Sequence, residues 1–202
     1  MEAAPHRPGV AKTRSSNCGT LLLGDSAPFF DESLPNMATK RYSLITRWHL
    51  EAPIERVWEA LIAVEEWPRW WRFVQAVVEL NKGDEEGVGA VRRYTWSSRL
   101  PYRLSFDMRT TALERPRLLE GVAVGELTGV GRWRLSPMGA TTHVQYEWVV
   151  TTAKRWMNLL GPLLEPVFRW NHDQVMAEGG RGLARHLGVR LIPIEDSSNR
   201  HR

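Results

Sequence analysis

Cysteine is nearly absent. The 202-residue chain holds one, Cys18, so no disulfide can close within it, and the reading is a reducing compartment. Long apolar runs are missing too. No stretch approaches the roughly 18 consecutive apolar residues of a membrane-spanning helix. The N-terminus lacks a basic-then-apolar signal, because TLLLG is too short for one. These absences predict a cytoplasmic protein with no stable membrane insertion. Lysine is scarce: Lys12, Lys40, Lys82 and Lys154 are the only ones. The net charge of +4 comes from 27 basic against 23 acidic residues. Its cations are scattered rather than gathered into the patch or stripe that nucleic acid needs, so no nucleic-acid partner is expected. There is no HExxH, no cysteine pair and no carboxylate–histidine cluster at ligand spacing, so no metal is expected and no cofactor is implied.

What the chain does have is tryptophan, ten in all. Three of them, Trp67, Trp70 and Trp71, crowd into EEWPRWWRFV around Pro68. Two readings stand: they plug a core, or they close one end of a cavity, where an aromatic ring can be apolar on one side and wet on the other.

Residues 1–36 are rich in Pro, Gly, Ser and Asn without sustained periodicity. They read as a disordered N-terminal extension, with Met37 as a candidate true start. Residues 37–188 carry the pattern of one domain, and 189–202 read as a loose C-terminal tail. Within the domain, 41–51 alternate as a strand. Pro53 then opens PIERVWEALIAV, whose Ile54, Val57, Trp58, Leu61 and Ile62 fall at helical spacing. Pro68 confines EEWPRWW to a short helix or turn. Six strands follow: VQAVVELN, AVRRYTWSS, YRLSFDMRTTALE, LLEGVAVGEL, TGVGRWRLSP and TTHVQYEWVVTT. Several show one apolar and one polar face, as an antiparallel sheet with a wet side requires. A long helix over about 162–187 closes the order. Leu164, Phe168, Asn171, Val175, Gly179, Gly182 and His186 form its stripe. Each of Gly179, Gly180 and Gly182 costs about 1 kcal/mol relative to alanine inside a helix. They mark close approach of the helix to its neighbours, or room left beside it for something else. The fold class is α+β: a curved antiparallel sheet wrapped around a long C-terminal α-helix, with two short helices after the first strand. The helix is the element long enough to bury the sheet's apolar face.

APIERVWEAL (52–61), placed after a strand, then EEWPRWW (65–71), and finally RWNHDQVMAEGGRGLARHLG (169–188), resemble the START-related SRPBCC superfamily of polyketide cyclases/dehydrases and lipid-transport proteins. The resemblance covers about 40–188. It implies the helix-grip fold, with a hydrophobic cavity between sheet and helix. The superfamily includes lipid carriers, aromatase/cyclases and oxygenase domains, so the fold does not fix the function.

The apolar strand faces supply Tyr94, Trp96, Tyr102, Leu104, Phe106, Met108, Trp133, Tyr146 and Trp148 as expected ligand contacts. The short helix supplies Trp71. The long helix supplies Val167, Phe168, Trp170, Asn171 and Val175, with Asn171 and a tyrosine hydroxyl orienting a polar end. A bulge would swap the assigned strand faces. An acid or base for chemistry is sought at His172, on the edge of the inward stripe. His143 lies on the face read as wet, and Asp173 toward solvent. Ser97 and Ser98 have no histidine near them in sequence. Gly125, Gly129 and Gly131 read as turn and bulge residues. The expected function is binding of a small hydrophobic molecule (lipid, polyketide or isoprenoid-like) by a monomer or weak homodimer. The alternatives are a polyketide cyclase, aromatase or dehydratase acting in the same cavity, and a protein-interaction module whose cavity has collapsed.

Overall fold

Period-two alternation of apolar and polar residues becomes seven strands. The computed structural model describes residues 41–99, 103–152 and 161–194, all within the unit Ala38–Arg202. Cys18, Tyr102 and the whole of 1–36 lie outside the described residues. The elements are β1 (Arg41–Leu50), α1 (Ile54–Ile62), a 3-10 turn (Val64–Glu66), α2 (Trp67–Trp70), β2 (Val74–Asn81), β3 (Val91–Trp96), β4 (Leu104–Glu114), β5 (Leu118–Gly125), β6 (Leu127–Met138), β7 (Thr141–Thr152) and α3 (Gly161–Leu187). The strands form one antiparallel sheet in the order β1-β7-β6-β5-β4-β3-β2. Each hairpin joins neighbours in sequence. The single long-range pairing puts β1 beside β7, with Trp48 opposite Val144 and Leu44 opposite Trp148.

The outer face of the sheet is polar and ionic. Glu120 meets Arg132 there, Arg132 and Arg134 approach Glu147, and Arg93 forms two hydrogen bonds with Asp107. The inner face and α3 enclose the core. α1 contributes Ile54, Val57, Trp58, Ala60 and Leu61 to it, one helical face beginning after Pro53. α3 packs against β1, α1 and α2. This is the helix-grip architecture: an open curved sheet around a C-terminal helix.

The three glycines of α3 explain how closely the helix sits. A Cβ on Gly179 would lie 2.3 Å from the Trp71 indole, one on Gly180 would lie 2.9 Å from Trp48, and one on Gly182 would lie 2.1 Å from the Trp70 carbonyl oxygen. Real Cβ atoms do not come that close, so the glycines hold the helix against the tryptophans rather than leave space for a ligand. The approach is tight enough for Trp71 Nε1 to donate to the Val175 carbonyl at 2.9 Å.

Gly125 has the turn role assigned to it, with φ +128° between β5 and β6. Gly129 and Gly131 do not mark bulges. They sit in unbroken register opposite Val150 and Trp148. A Cβ on Gly129 would strike the Val149 carbonyl at 2.2 Å, and one on Gly131 would strike the Tyr146 hydroxyl at 2.8 Å. The real irregularities are elsewhere, at Thr110/Ala112 in the β4–β5 pairing and at two points of the β2–β3 pairing. Past α3, the Arg190 carbonyl accepts from the Glu51 N–H, and the Ile192 N–H donates to the His49 carbonyl at 2.7 Å. Residues 190–192 therefore run back along the free edge of β1.

Candidate functional site

The sheet and α3 do not fill the space between them. Two chambers are seen there among the described residues. The first, about 190 Å3, lies under β3–β6, where Tyr94, Met108, Thr110, Leu119 and Trp133 line it, and it reaches Ile62 at the end of α1 and Gly87 in the β2–β3 loop. The second, about 160 Å3, lies under Leu44, Leu104, Trp148 and Val150, against Phe168, His172 and Val175 of α3. Trp96, Phe106, Tyr146 and Met176 border both. Together the chambers reach the lower end, about 300 Å3, of the range of small-molecule pockets.

Trp67 and Trp71 form one wall of the first chamber. Trp67 donates its indole N–H to the Leu61 carbonyl at 3.2 Å, and Trp71 is 1% exposed. Trp70 stacks on Trp71 at 5.5 Å and does not line a chamber. Both readings of the cluster therefore hold, for different residues: Trp70 is a plug, while Trp67 and Trp71 plug and also face the cavity. Trp71 meets Trp96 edge-on at 5.0 Å, and Trp133 stacks on Tyr146 at 4.2 Å. Offset and edge-on aromatic pairs of this kind make a rigid, flat-sided enclosure.

Arg92 borders the first chamber but is paired with Glu65 at 2.5 Å and Glu79 at 3.4 Å. Burial pushes the Tyr94 and Tyr146 phenols well above the usual range, so both stay protonated. In the second chamber Asn171 accepts a hydrogen bond from the Arg99 N–H at 3.3 Å. His172 is different. Its side chain is 13% exposed, and neither ring nitrogen has a hydrogen-bond partner among the described residues. Burial holds the imidazole below its ordinary range, outweighing the pull of Asp173, whose Oδ1 stands 3.6 Å from Nδ1.

A family model described as polyketide cyclase / dehydrase and lipid transport matches residues 44–188. The chain belongs to that family. Among solved structures it is similar to a START superfamily protein from Mycobacterium smegmatis, with 12% identity, a TM-score of 0.61, and coverage of 72% of this chain and 97% of that one. A protein from Thermus thermophilus is 14% identical, with a TM-score of 0.59 over 72% and 99%. The Zhui aromatase/cyclase from a Streptomyces species is 18% identical, with a TM-score of 0.54 over 73% and 96%. At these identities the likeness is one of fold. No curated protein matches the chain by sequence.

Within this family member, the expected contacts Trp71, Tyr94, Trp96, Leu104, Phe106, Met108, Trp133, Tyr146, Trp148, Phe168, Asn171 and Val175, together with the catalytic candidate His172, border one chamber or both. Tyr102 lies outside the described residues. Val167 and Trp170 are corrections. They are 38% and 47% exposed and border neither chamber. The inward stripe of α3 runs through Phe168, His172, Met176 and Leu183, and at 100° per residue positions 167 and 170 turn away from it. A stripe phased through Asn171, Gly179 and Gly182 passes Met176 by. Leu113 escapes the pattern because the Thr110/Ala112 irregularity reverses the parity of β4, turning an odd-numbered residue inward after Phe106, Met108 and Thr110. Among the described residues no three His, Cys, Asp or Glu side chains gather as a metal site, and no helix is long and apolar enough to cross a membrane.

Proposed function

We propose that the protein binds one small, largely apolar and flat molecule, isoprenoid-like, lipid or polyketide, between the sheet and α3, acting in the cytoplasm as a monomer or weak homodimer. The observation that carries this reading is the pair of chambers walled by aromatic rings, with Trp96, Phe106, Tyr146 and Met176 bordering both. Met176, on the shared border, is unbranched and adaptable, so a ligand longer than either chamber has a side chain to displace. Burial of apolar area drives such binding at about 25 cal/mol per Å2 removed from water. Rigid indole walls favour planar over flexible ligands, because they give stacking area without an ordering penalty on the protein.

A second reading is catalysis in the same cavity: cyclisation or dehydration of a polyketide chain. It is favoured by a buried imidazole bordering the second chamber, which the protonated Tyr146 borders too; these are components of acid–base assistance. Mass spectrometry of the purified protein, native and after organic extraction, tests the first reading. A stoichiometric co-purifying hydrophobic molecule is the expected result. An empty protein that also ignores a panel of hydrophobic fluorescent probes would overturn it. Turnover of a poly-β-ketone by wild type but not by His172→Phe would establish the second reading.

A further inference from the structure

The polar side chains of the second chamber are not equally available. Arg169 is bonded to Glu165 and to the Ser43 carbonyl. Ser97 donates to the Phe73 carbonyl and accepts from Gln75. Asn171 holds the Arg99 backbone N–H. His172 alone in this set is buried with both ring nitrogens unpartnered among the described residues. Trp96, on the wall common to both chambers, also has a buried indole N–H without a partner. A buried polar atom left unpaired is costly, and nearly all such atoms in native proteins are satisfied by something. His172 borders the second chamber while its two nitrogens are themselves covered, so a ligand satisfies them once the ring turns toward that space.

Resting on the binding function proposed above, we infer that His172 recognises the polar end of the ligand, and that this end carries a hydroxyl (a phenol, enol or alcohol) that donates to the imidazole. An uncharged imidazole offers one donor and one acceptor. Asp173 stands on the Nδ1 side and favours the tautomer with its proton there, which leaves Nε2 as the acceptor. A hydroxyl complements that nitrogen, and its oxygen can also accept from an indole N–H such as that of Trp96. A carboxylate would have to compete with acidic side chains for the arginines that border the chambers, since Arg169, Arg92 and Arg115 are already paired. A purely apolar ligand would leave the imidazole unsatisfied.

The test uses three probes of one shape: 2-naphthol, 2-methoxynaphthalene and naphthalene, titrated calorimetrically into the full-length protein. Transfer out of water penalises a hydroxyl, so apolar burial alone ranks naphthol last. The expected result is naphthol bound about tenfold tighter than the other two, the worth of one net hydrogen bond. His172→Phe is expected to lose that preference while still binding naphthalene, and His172→Gln, which keeps an acceptor, to retain part of it. In wild type, the His172 imidazole 15N resonance should shift with naphthol and not with naphthalene, which needs no variant to fold. Equal binding of all three probes by wild type, or a naphthol preference that survives in His172→Phe, would overturn the inference and leave the cavity intact. If none of the three binds, the cavity reading falls and the inference with it.

Discussion

Replacing Gly179, Gly180 or Gly182 with alanine puts the packing of α3 to a quantitative test. By helix propensity alone each change should stabilise by about 1 kcal/mol. The geometry demands the opposite. A methyl on Gly179 falls 2.3–2.7 Å from three atoms of the Trp71 indole. That ring is held on its other sides by Trp67, Trp70 and Trp96 and anchored by its bond to the Val175 carbonyl. Overpacking costs about 1–3 kcal/mol, and displacing the indole forfeits a hydrogen bond of about 1 kcal/mol. The net expectation for Gly179→Ala is a loss of about 1–3 kcal/mol, a fall in Tm of roughly 2–12 °C for a domain of this size. Gly182→Ala should be at least as damaging, because the obstacle is a backbone oxygen at 2.1 Å, which cannot swing aside. Gly180→Ala should be mildest, since its methyl meets only the Trp48 ring edge at 2.9 Å. Urea unfolding followed by tryptophan fluorescence reads all three. If Gly179→Ala were more stable than wild type, the helix would have slack against Trp71, and the close approach argued above would be wrong.

Trp58→Ala should cost about 3–5 kcal/mol, because Trp58 is fully packed away from both chambers, whereas Phe106→Ala should cost less, since one side of that ring already faces open space; equal losses would mean the chambers are not open. Glu120 has an ordinary value of 4.5; burial would raise it, but the hydrogen bonds from Arg132 and Thr111 and the nearby Arg132 charge outweigh burial and lower it. The stability it contributes is therefore present above that ordinary value and lost as pH falls through the lower native value. Glu120→Gln should flatten that acid limb of a stability-against-pH curve and leave neutral pH little changed. Tyr94 and Tyr146, both raised by burial, act at the other end: their contribution holds below the ordinary tyrosine value of about 10 and is lost as pH rises past it. Phenolate absorbance from these two should appear only together with unfolding. Truncation after Val189 removes the Arg190 and Ile192 backbone bonds to Glu51 and His49 and the Arg190–Glu51 ion pair, and should lower Tm by a few degrees; no change would show that this segment adds nothing to the edge of β1.

The sheet was legible because its signal is local. In β7, Val144, Tyr146, Trp148 and Val150 face the core side by strict period two, and the pairing with β1 follows that register without a break. α1 was legible for the same reason at period 3.6. What escaped was whatever depends on phase or on distance between elements. One register shift in β4 exchanged the faces beyond Thr110. On α3 the apolar surface is too diffuse to fix a phase: Val167 and Trp170 are bulky and apolar yet face solvent, while the tightest contacts are made by glycines, which carry no hydrophobic signal. The meaning of those glycines was fixed by tryptophans more than 100 residues away in sequence, whose indoles occupy the volume the side chains give up. The division into two chambers follows from the same cause. α3 is pressed onto Trp48, Trp70 and Trp71 at its glycine end and carries full side chains, Phe168, His172 and Val175, toward its start. The second chamber therefore lies where the helix presents full side chains, while the first lies behind Trp67 and Trp71 and meets the helix only at Met176.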